Sequence, residues 1–351
     1  MKISFPLISL GKSGGEKYLV KLINDLTDRG HEVTVILPKD SYLLNFPLRA
    51  NLREITRGGN RFTRLFVLPI ALALNTPKSD IICTSAGLAS LHLLIAAKVL
   101  KRGRPIYLVQ NYDAIFYEKP WQFFHRFWIK KSYKYFDNII TVSQWLDDKI
   151  YLEMGKKTTV VNPGIDLDKF YPRQVKKNPG VKTILCLGRR ARVKGFSDLI
   201  RAVELVYQKR KDIKLIIVGR SKMDIDSNIP YEQRQATDDE LAELYSSCDV
   251  FVLPSWIEGC PAPPLEAMAC RAPVVTTDCL GTEEYAIDGE NSLVVPPQNA
   301  QAMAEAILRV LKDKNLADNL KENGLKTAKQ FTWDKATDKI EKLFKEALEK
   351  G

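Results

Sequence analysis

The chain of 351 residues has no cysteine pair at C-x-x-C spacing, only three histidines, no fixed-period repeat and no low-complexity tract. Each lack excludes something. The cysteines stand at Cys83, Cys186, Cys248, Cys260, Cys270 and Cys279, so zinc-type and redox-type spacings are missing. Most lie in or beside apolar runs, as reduced buried thiols do. That fits a reducing, cytoplasmic setting better than a secreted, disulfide-stapled one. The longest unbroken apolar run, residues 65–74, is too short to cross a bilayer and contains Pro69. The N-terminal apolar stretch gives way to Gly11 and Lys12, and reads as a first strand, not as a signal peptide.

What is present is ordinary for a folded soluble protein: 45% hydrophobic and 27% charged residues. The length suggests about two domains. The net charge of +11 is lopsided, because positions 1–165 hold 24 basic and 13 acidic residues whereas positions 166–351 hold 29 of each. The two halves therefore face different partners.

Apolar runs alternate with helical spacing along the chain. ISFPLI reads as a strand, Gly14 to Arg29 as a helix ended by Gly30, and EVTVIL as a strand. IICTS, a helix over about 87–100, PIYLVQ, a helix over about 121–136, NIITV and a helix from Ser143 continue the series. A Pro-, Gly-, Asn- and Lys-rich stretch around 162–182 is linker-like. The alternation then restarts with TILCLG, a helix over 195–209, KLIIVG, a helix over 238–246, VFVLP, a helix over 264–270 and PVVTT. The pattern predicts an α/β protein of two Rossmann-like βα domains, 1–165 and 166–330, with a cleft between them and ligands beyond the carboxyl ends of the strands.

Three stretches carry chemistry. In PSWIEGCPAPPLEAMACRAPVV, Glu258 falls in a loop after a strand, and Glu266 in the first turn of a helix entered through Pro263 and Pro264. A helix N-terminus suits a diphosphate, and a carboxylate beside it can accept bonds from vicinal hydroxyls. A plain reading stands beside this one, in which Glu266 caps its own helix and Glu258 is solvated. In ILCLGRRARVKGFSDLIRAV, Arg189, Arg190, Arg192 and Lys194 crowd the turn before a helix. Cations there oppose the helix dipole, which makes sense around an anion, although a solvated basic loop is the alternative. In GKSGGEKYLVKLINDL, Gly14 and Gly15 precede the first helix and allow a ligand close to the backbone, or simply a tight turn. Neither a Walker loop nor G-x-G-x-x-G is formed.

These stretches, together with RGHEVTVI, IITVSQW, VVNPGIDLDKF, CDVFVLPSWIEG, DCLGTEEYAIDGENSLVVPPQN and FTWDKA, occur in an order that resembles the family-4 glycosyltransferases of group 1 type and GT-B fold. The resemblance spans nearly the whole chain. It implies two Rossmann-like domains facing each other across a cleft, with the acceptor on 1–165, a nucleotide-sugar donor on 166–330, and a C-terminal helix at 331–351 packing back on the first domain. It implies retaining transfer of a hexosyl unit to a hydroxyl acceptor, a glycan or a lipid-linked one, in cell-surface polysaccharide or glycolipid synthesis, with no cofactor. By motif position Arg189 and Lys194 match the donor-diphosphate cations, Glu266 the ribose partner, Glu258 the residue facing the donor sugar, and Gly14 and Gly15 the loop closing on the phosphates. Gly259 belongs to the same motif, and the N–H groups of Cys260, Ala262 and Leu265 are plausible donors. Departures are Arg271, where glycine is frequent, and residues 110–113, where many relatives carry a histidine. Asn111 and Asp113 are the candidates there for facing the sugar or acceptor. His31, His92 and His125 read as structural.

Asp166–Asp168 and Asp224–Asp226 are D-x-D strings, but a cationic clamp already provides the diphosphate's charge partner, so no metal is expected. Two basic, aromatic stretches stand out: Arg53, Arg57, Arg61 and Arg64 beside Phe62, Leu65 and Phe66, and Trp121, Phe124, Phe127 and Trp128 among Arg126, Lys130, Lys131 and Lys134. Such a helix can lie on an anionic bilayer surface, which points to a peripheral protein on the cytoplasmic face. Its aromatic stripe is equally well core. No nucleic-acid-binding signature accompanies the charge. A non-catalytic nucleotide-sugar-binding or partner protein of the same fold remains the alternative.

Overall fold

The computed structural model describes residues 1–11, 13–43, 47–56, 63–85, 90–116, 123–176 and 179–349, with side chains left aside at 63–66 and 124–125. The chain divides into two units, one of Met1–Pro163 with Asp334–Gly351, the other of Gly164–Trp333.

Among the described residues the first unit holds seven parallel strands: β1 (Lys2–Pro6), β2 (Glu32–Pro38), β3 (Asn51–Ile55), β4 (Ile81–Ser85), β5 (Arg104–Val109), β6 (Ile139–Thr141) and β7 (Thr159–Val160). Their order is β3-β2-β1-β4-β5-β6-β7. Its helices are α1 (Gly14–Asp28), α2 (Thr63–Asn75), α3 (Ser90–Leu94), α4 (Phe123–Ser132) and α5 (Gln144–Met154). β1, β2, β4 and β5 are buried over most of their length, as strands covered by helices on both faces must be. α1 starts where it does because Ser13 and Glu16 form a reciprocal capping box.

The second unit repeats the plan with β8 (Lys182–Leu187), β9 (Ile213–Val218), β10 (Tyr231–Arg234), β11 (Val250–Leu253), β12 (Val274–Thr277) and β13 (Leu293–Val295). The order is β10-β9-β8-β11-β12-β13. Helices α6 (Phe196–Lys209), α7 (Asp238–Ser247), α8 (Ala262–Ala269), α9 (Ala300–Lys312) and α10 (Lys314–Ala328) cover it. Alternate residues of one strand point to opposite faces. Accordingly Ile184 and Cys186 pack with α6 and α9 in one core, and Leu185 packs with α7 and α8 in the other. Both sheets reverse direction between their first and fourth strands, the switch point where open α/β sheets take ligands.

The last helix, α11 (Trp333–Glu349), buries a stripe of Ala336, Thr337, Ile340, Phe344 and Ala347. Within the first unit, Arg29 reaches Asp338 at 2.5 Å and Glu341 at 3.2 Å, and Thr337 donates toward Asp25.

Several elements depart from the sequence pattern. β3 is exposed along most of its length, so it carries no apolar signature. α2 runs through Pro69, a residue that ordinarily argues against a helix interior. The helix expected over 87–100 is α-helical at Ser90–Leu94 and π-helical at Ile95–Val99. α8 begins at Ala262, two residues before the expected start.

Candidate functional site

The site assembles at the switch point of the second sheet, where the loops after β8 and β11 lie side by side. The first loop ends in a single 3-10 turn, Arg192–Lys194, closed by Gly195 with φ of 63°. A Cβ on Gly195 would lie 1.9 Å from the Pro254 carbonyl oxygen, so both the left-handed backbone and the close approach demand glycine. The two loops are then stitched together. Trp256 N–H donates to the Val193 carbonyl at 2.8 Å, and the Trp256 indole N–H donates to Asp198 at 2.6 Å, in the first turn of α6.

That stitching delivers Lys194 to Glu258, with Nζ 2.8 Å from Oε2. The pair is largely sequestered, with side-chain exposures of 14% and 10%. Ser255 Oγ donates to the other carboxylate oxygen at 2.8 Å, while Thr277 Oγ1 donates to the Ser255 carbonyl. Glu258 N–H donates to the Cys279 carbonyl at 3.0 Å, and Glu258 bridges Leu280 in parallel. Burial, followed by the Glu258 charge, pushes the Cys279 thiol up to about 12. The solvated-glutamate reading of Glu258 is therefore corrected: the residue is 7% exposed and doubly bonded. A carboxylate offers about four lone-pair sites, so Glu258 can still accept from a sugar hydroxyl while it anchors Lys194.

Glu266 lies beside a second buried group. The Tyr245 hydroxyl donates to Glu266 at 3.4 Å. Burial pushes that phenol well up, the Glu266 charge adds to the effect, and Arg189 opposes it. Glu266 sits in the second turn of α8 and not the first, because the helix starts at Ala262 after an N-cap at Pro261. The early start also changes the donor set. The first four N–H positions of a helix lack intrahelical partners, and here three of those four are Pro261, Pro263 and Pro264. Ala262 alone can offer an N–H. Leu265 lies past that set and its side chain is core. Gly259 is buried and Cys260 partly exposed on the approach to the helix. All four principal charged residues belong to the Gly164–Trp333 unit.

In the first unit, Gly14 and Gly15 are the first two residues of α1 itself, not a loop preceding it. A Cβ on Gly15 would lie 2.5 Å from Gln110 Oε1. Gln110 also donates to Ser85 Oγ at 3.1 Å, so the start of α1 and the end of β4 meet just past β5 at a residue that sequence reasoning passed over in favour of its neighbours. Asn111 and Asp113 are partly exposed. Asn111 Oδ1 accepts the Tyr112 N–H at 2.9 Å, and the Asp113 N–H donates to the Asn111 carbonyl at 3.0 Å. The turn is pinned by Tyr112, whose hydroxyl donates to Glu153. Burial would raise Glu153, but bonds from Lys149, Tyr112 and Lys130 outweigh it and hold the carboxyl at about 2.

His92 is a core histidine. Its Nε2 donates to the Pro6 carbonyl at 2.8 Å and lies 3.2 Å from Thr84 Oγ1. His31 contacts the N-terminal amine at 3.2 Å. On α4 the aromatic stripe divides. Ile129 is buried and Trp128 donates to Ser90 at 3.1 Å, whereas Phe123 and Phe127 are 69% and 48% exposed and stack at 6.2 Å. Lys131 lies over Phe127, and Arg126 and Lys134 are exposed. Arg57, Arg61, Phe62, Lys119 and Trp121, and the side chains of Arg64, Leu65, Phe66, Phe124 and His125, lie outside the described residues.

Residues 168–327 match the model for glycosyl transferases group 1, and residues 12–169 match that for glycosyltransferase family 4. A Campylobacter jejuni N,N'-diacetylbacillosaminyl-diphospho-undecaprenol alpha-1,3-N-acetylgalactosaminyltransferase is 26% identical, with 98% of each chain covered. The Staphylococcus aureus capsular polysaccharide biosynthesis glycosyltransferase CapM is 25% identical over 80% of this chain and 78% of its own. Among solved structures, the sucrose-phosphate synthase of Thermosynechococcus elongatus superposes with a TM-score of 0.82 at 20% identity, covering both chains in full. Anabaena HepE, crystallised with UDP-glucose, gives 0.79 at 19% identity, covering 99% of this chain and all of its own. The two sheets define a two-domain GT-B fold. The chain belongs to the group 1 glycosyltransferases of family 4.

Proposed function

We propose that the protein transfers a hexosyl unit, with retention of anomeric configuration and without a metal, from a nucleotide diphosphate sugar to a hydroxyl of a glycan or lipid-linked acceptor. The reaction belongs to cell-surface polysaccharide or glycolipid synthesis, on the cytoplasmic side. The observation that carries this reading is the sequestered Lys194–Glu258 pair at the switch point of the second sheet. Glycosyl transfer passes through an oxocarbenium-like state while negative charge builds on the departing diphosphate. Arg189 and Lys194 meet that charge from fixed positions, where such groups act most strongly. Glu258 holds the Lys194 ammonium and accepts from the donor sugar, Glu266 accepts from the ribose, and the Ala262 N–H donates to an anionic oxygen. The leaving phosphate takes the acceptor proton, so no separate protein base is required. Gly14, Gly15 and Gln110 form the first unit's contribution, with Asn111 and Asp113 toward the acceptor. Support for the donor class comes from the UDP-glucose complex of HepE. Support for a lipid-linked acceptor comes from the diphospho-undecaprenol substrate named for the Campylobacter relative. The test is a thermal-shift screen of UDP-, GDP-, ADP- and dTDP-sugars, followed by product analysis with the stabilising donor. Stabilisation by none of them, or an inverted product, overturns the reading.

The exposed Phe123 and Phe127 with Arg126, Lys131 and Lys134 suit the headgroup region of an anionic bilayer. We assign this face to peripheral membrane contact. Co-flotation with phosphatidylglycerol vesicles is expected at low salt and should weaken as salt rises. Absence of flotation at low salt removes the assignment.

A further inference from the structure

The second unit contains a cavity of about 440 Å³ to which the proposed transfer assigns no part of its substrates. Ligand pockets run from about 300 to 1,000 Å³, so it is large enough for a monosaccharide carrying a small charged group. It opens beside α6, on the opposite face of the sheet from α8 and Glu266. Arg189 is the one candidate donor-site residue on its wall.

Its floor is apolar, made by Phe196, Ile200, Met223 and Ile225. Its rim carries Arg190, Arg192 and Arg201, and opposite charges at Glu204, Asp224 and Asp226. Among the described residues, none of these six rim groups enters an ion pair with another. Arg190 does donate to the Lys222 carbonyl at 2.8 Å, and Arg192 lies over the Trp256 ring, so two of the three guanidinium groups are oriented by neighbours that carry no negative charge. The wall is also pinned at Met223. The Gln233 side chain accepts the Met223 N–H at 2.7 Å and donates to the Met223 carbonyl at 2.6 Å, clamping the loop that bears Asp224 and Asp226.

We infer that this cavity is a binding site for an anionic hexose, the arginines taking the charged group, the carboxylates the hydroxyls and the apolar floor the sugar's C–H face. Guanidinium groups match phosphate and carboxylate geometry, carboxylates accept only, and the mixture of both around an apolar floor suits a sugar better than a bare anion. The inference is independent of the donor reading, because its readout is binding in the absence of any nucleotide sugar.

The experiment is calorimetric titration of the intact chain with glucose 6-phosphate and with glucuronate, which distinguish a phosphate from a carboxylate source. Glucose and inorganic phosphate serve as references. One or both anionic sugars should bind at least about tenfold more tightly than either reference. Arg190→Ala and Arg201→Ala should each weaken that binding about tenfold, the scale of one lost charge-assisted bond. Glu204→Gln should weaken it less. Lys194→Ala should leave it unchanged, since that side chain lies on the other side of the loop. Melting curves confirm that the two exposed arginine variants and Lys194→Ala are folded at the titration temperature. Inorganic phosphate binding as tightly as the sugars overturns the hexose assignment. So do arginine variants that bind normally, or loss of binding in Lys194→Ala, which would put the anion on the donor clamp.

Discussion

Removing Lys194 tests the site at two levels. In Lys194→Ala the Glu258 carboxylate keeps its Ser255 bond but loses its cation at 2.8 Å, in surroundings that leave its side chain only 10% exposed. Stranding one charge of a buried pair costs about 3–5 kcal/mol, and the remaining hydroxyl bond places this case toward the low end. For a unit the size of Gly164–Trp333, where each kcal/mol moves the midpoint by about 2–4 °C, the melting midpoint should fall by roughly 6–12 °C. Catalysis should suffer separately. Loss of a cation placed on a developing negative charge costs about a hundredfold in turnover, or roughly 2.7 kcal/mol of transition-state stabilisation. Thermal melts and initial rates with the donor found by screening provide the two readouts. Glu258→Gln combined with Lys194→Met separates them, since a neutral pair of similar volume removes the stranded charge. The double variant should regain most of the lost stability and none of the lost turnover. A near-normal rate in Lys194→Ala would refute the catalytic reasoning. An unchanged midpoint in Lys194→Ala would refute the buried-pair reasoning.

Two further expectations follow from the geometry. Gly195→Ala places a methyl 1.9 Å from the Pro254 carbonyl at a positive φ, so both turnover and melting temperature should drop, and a variant with wild-type kinetics would contradict the role given to this turn. Complete burial lowers the His92 imidazole to about 4, whereas the unfolded chain takes up that proton near about 6.5. The stabilising contribution is complete above about 6.5 and is lost as pH falls toward about 4, on the order of 3 kcal/mol in all. Melting followed from pH 7 to pH 4 should show the decline, and His92→Gln should flatten it; identical pH profiles would count against it.

Much of this molecule is written in periodicity and punctuation. Apolar runs of strand length, helical spacing and a Pro/Gly-rich break near 162–182 point to two βα units, because strands buried on both faces and amphipathic helices each impose a repeat on the residues that form them. Arg189, Lys194, Glu258 and Glu266 are legible as candidates because charged residues next to strand ends and helix starts are unusual. β3 and β10 carry little apolar signal, and Pro69 conceals α2.

Which of those charges touch is another matter. Lys194 and Glu258 are distant in sequence, and they meet because β8 and β11 are neighbours in the sheet and Gly195 lets one loop rest on the other. Gln110 lies against Gly15 because parallel pairing brings the ends of β1, β4 and β5 to one edge. The spent N–H groups of α8 depend on where that helix starts, a matter of backbone geometry. Local pattern selects residue types and elements. Contact between remote loops follows only from strand order and close backbone approach, which no short window of sequence contains.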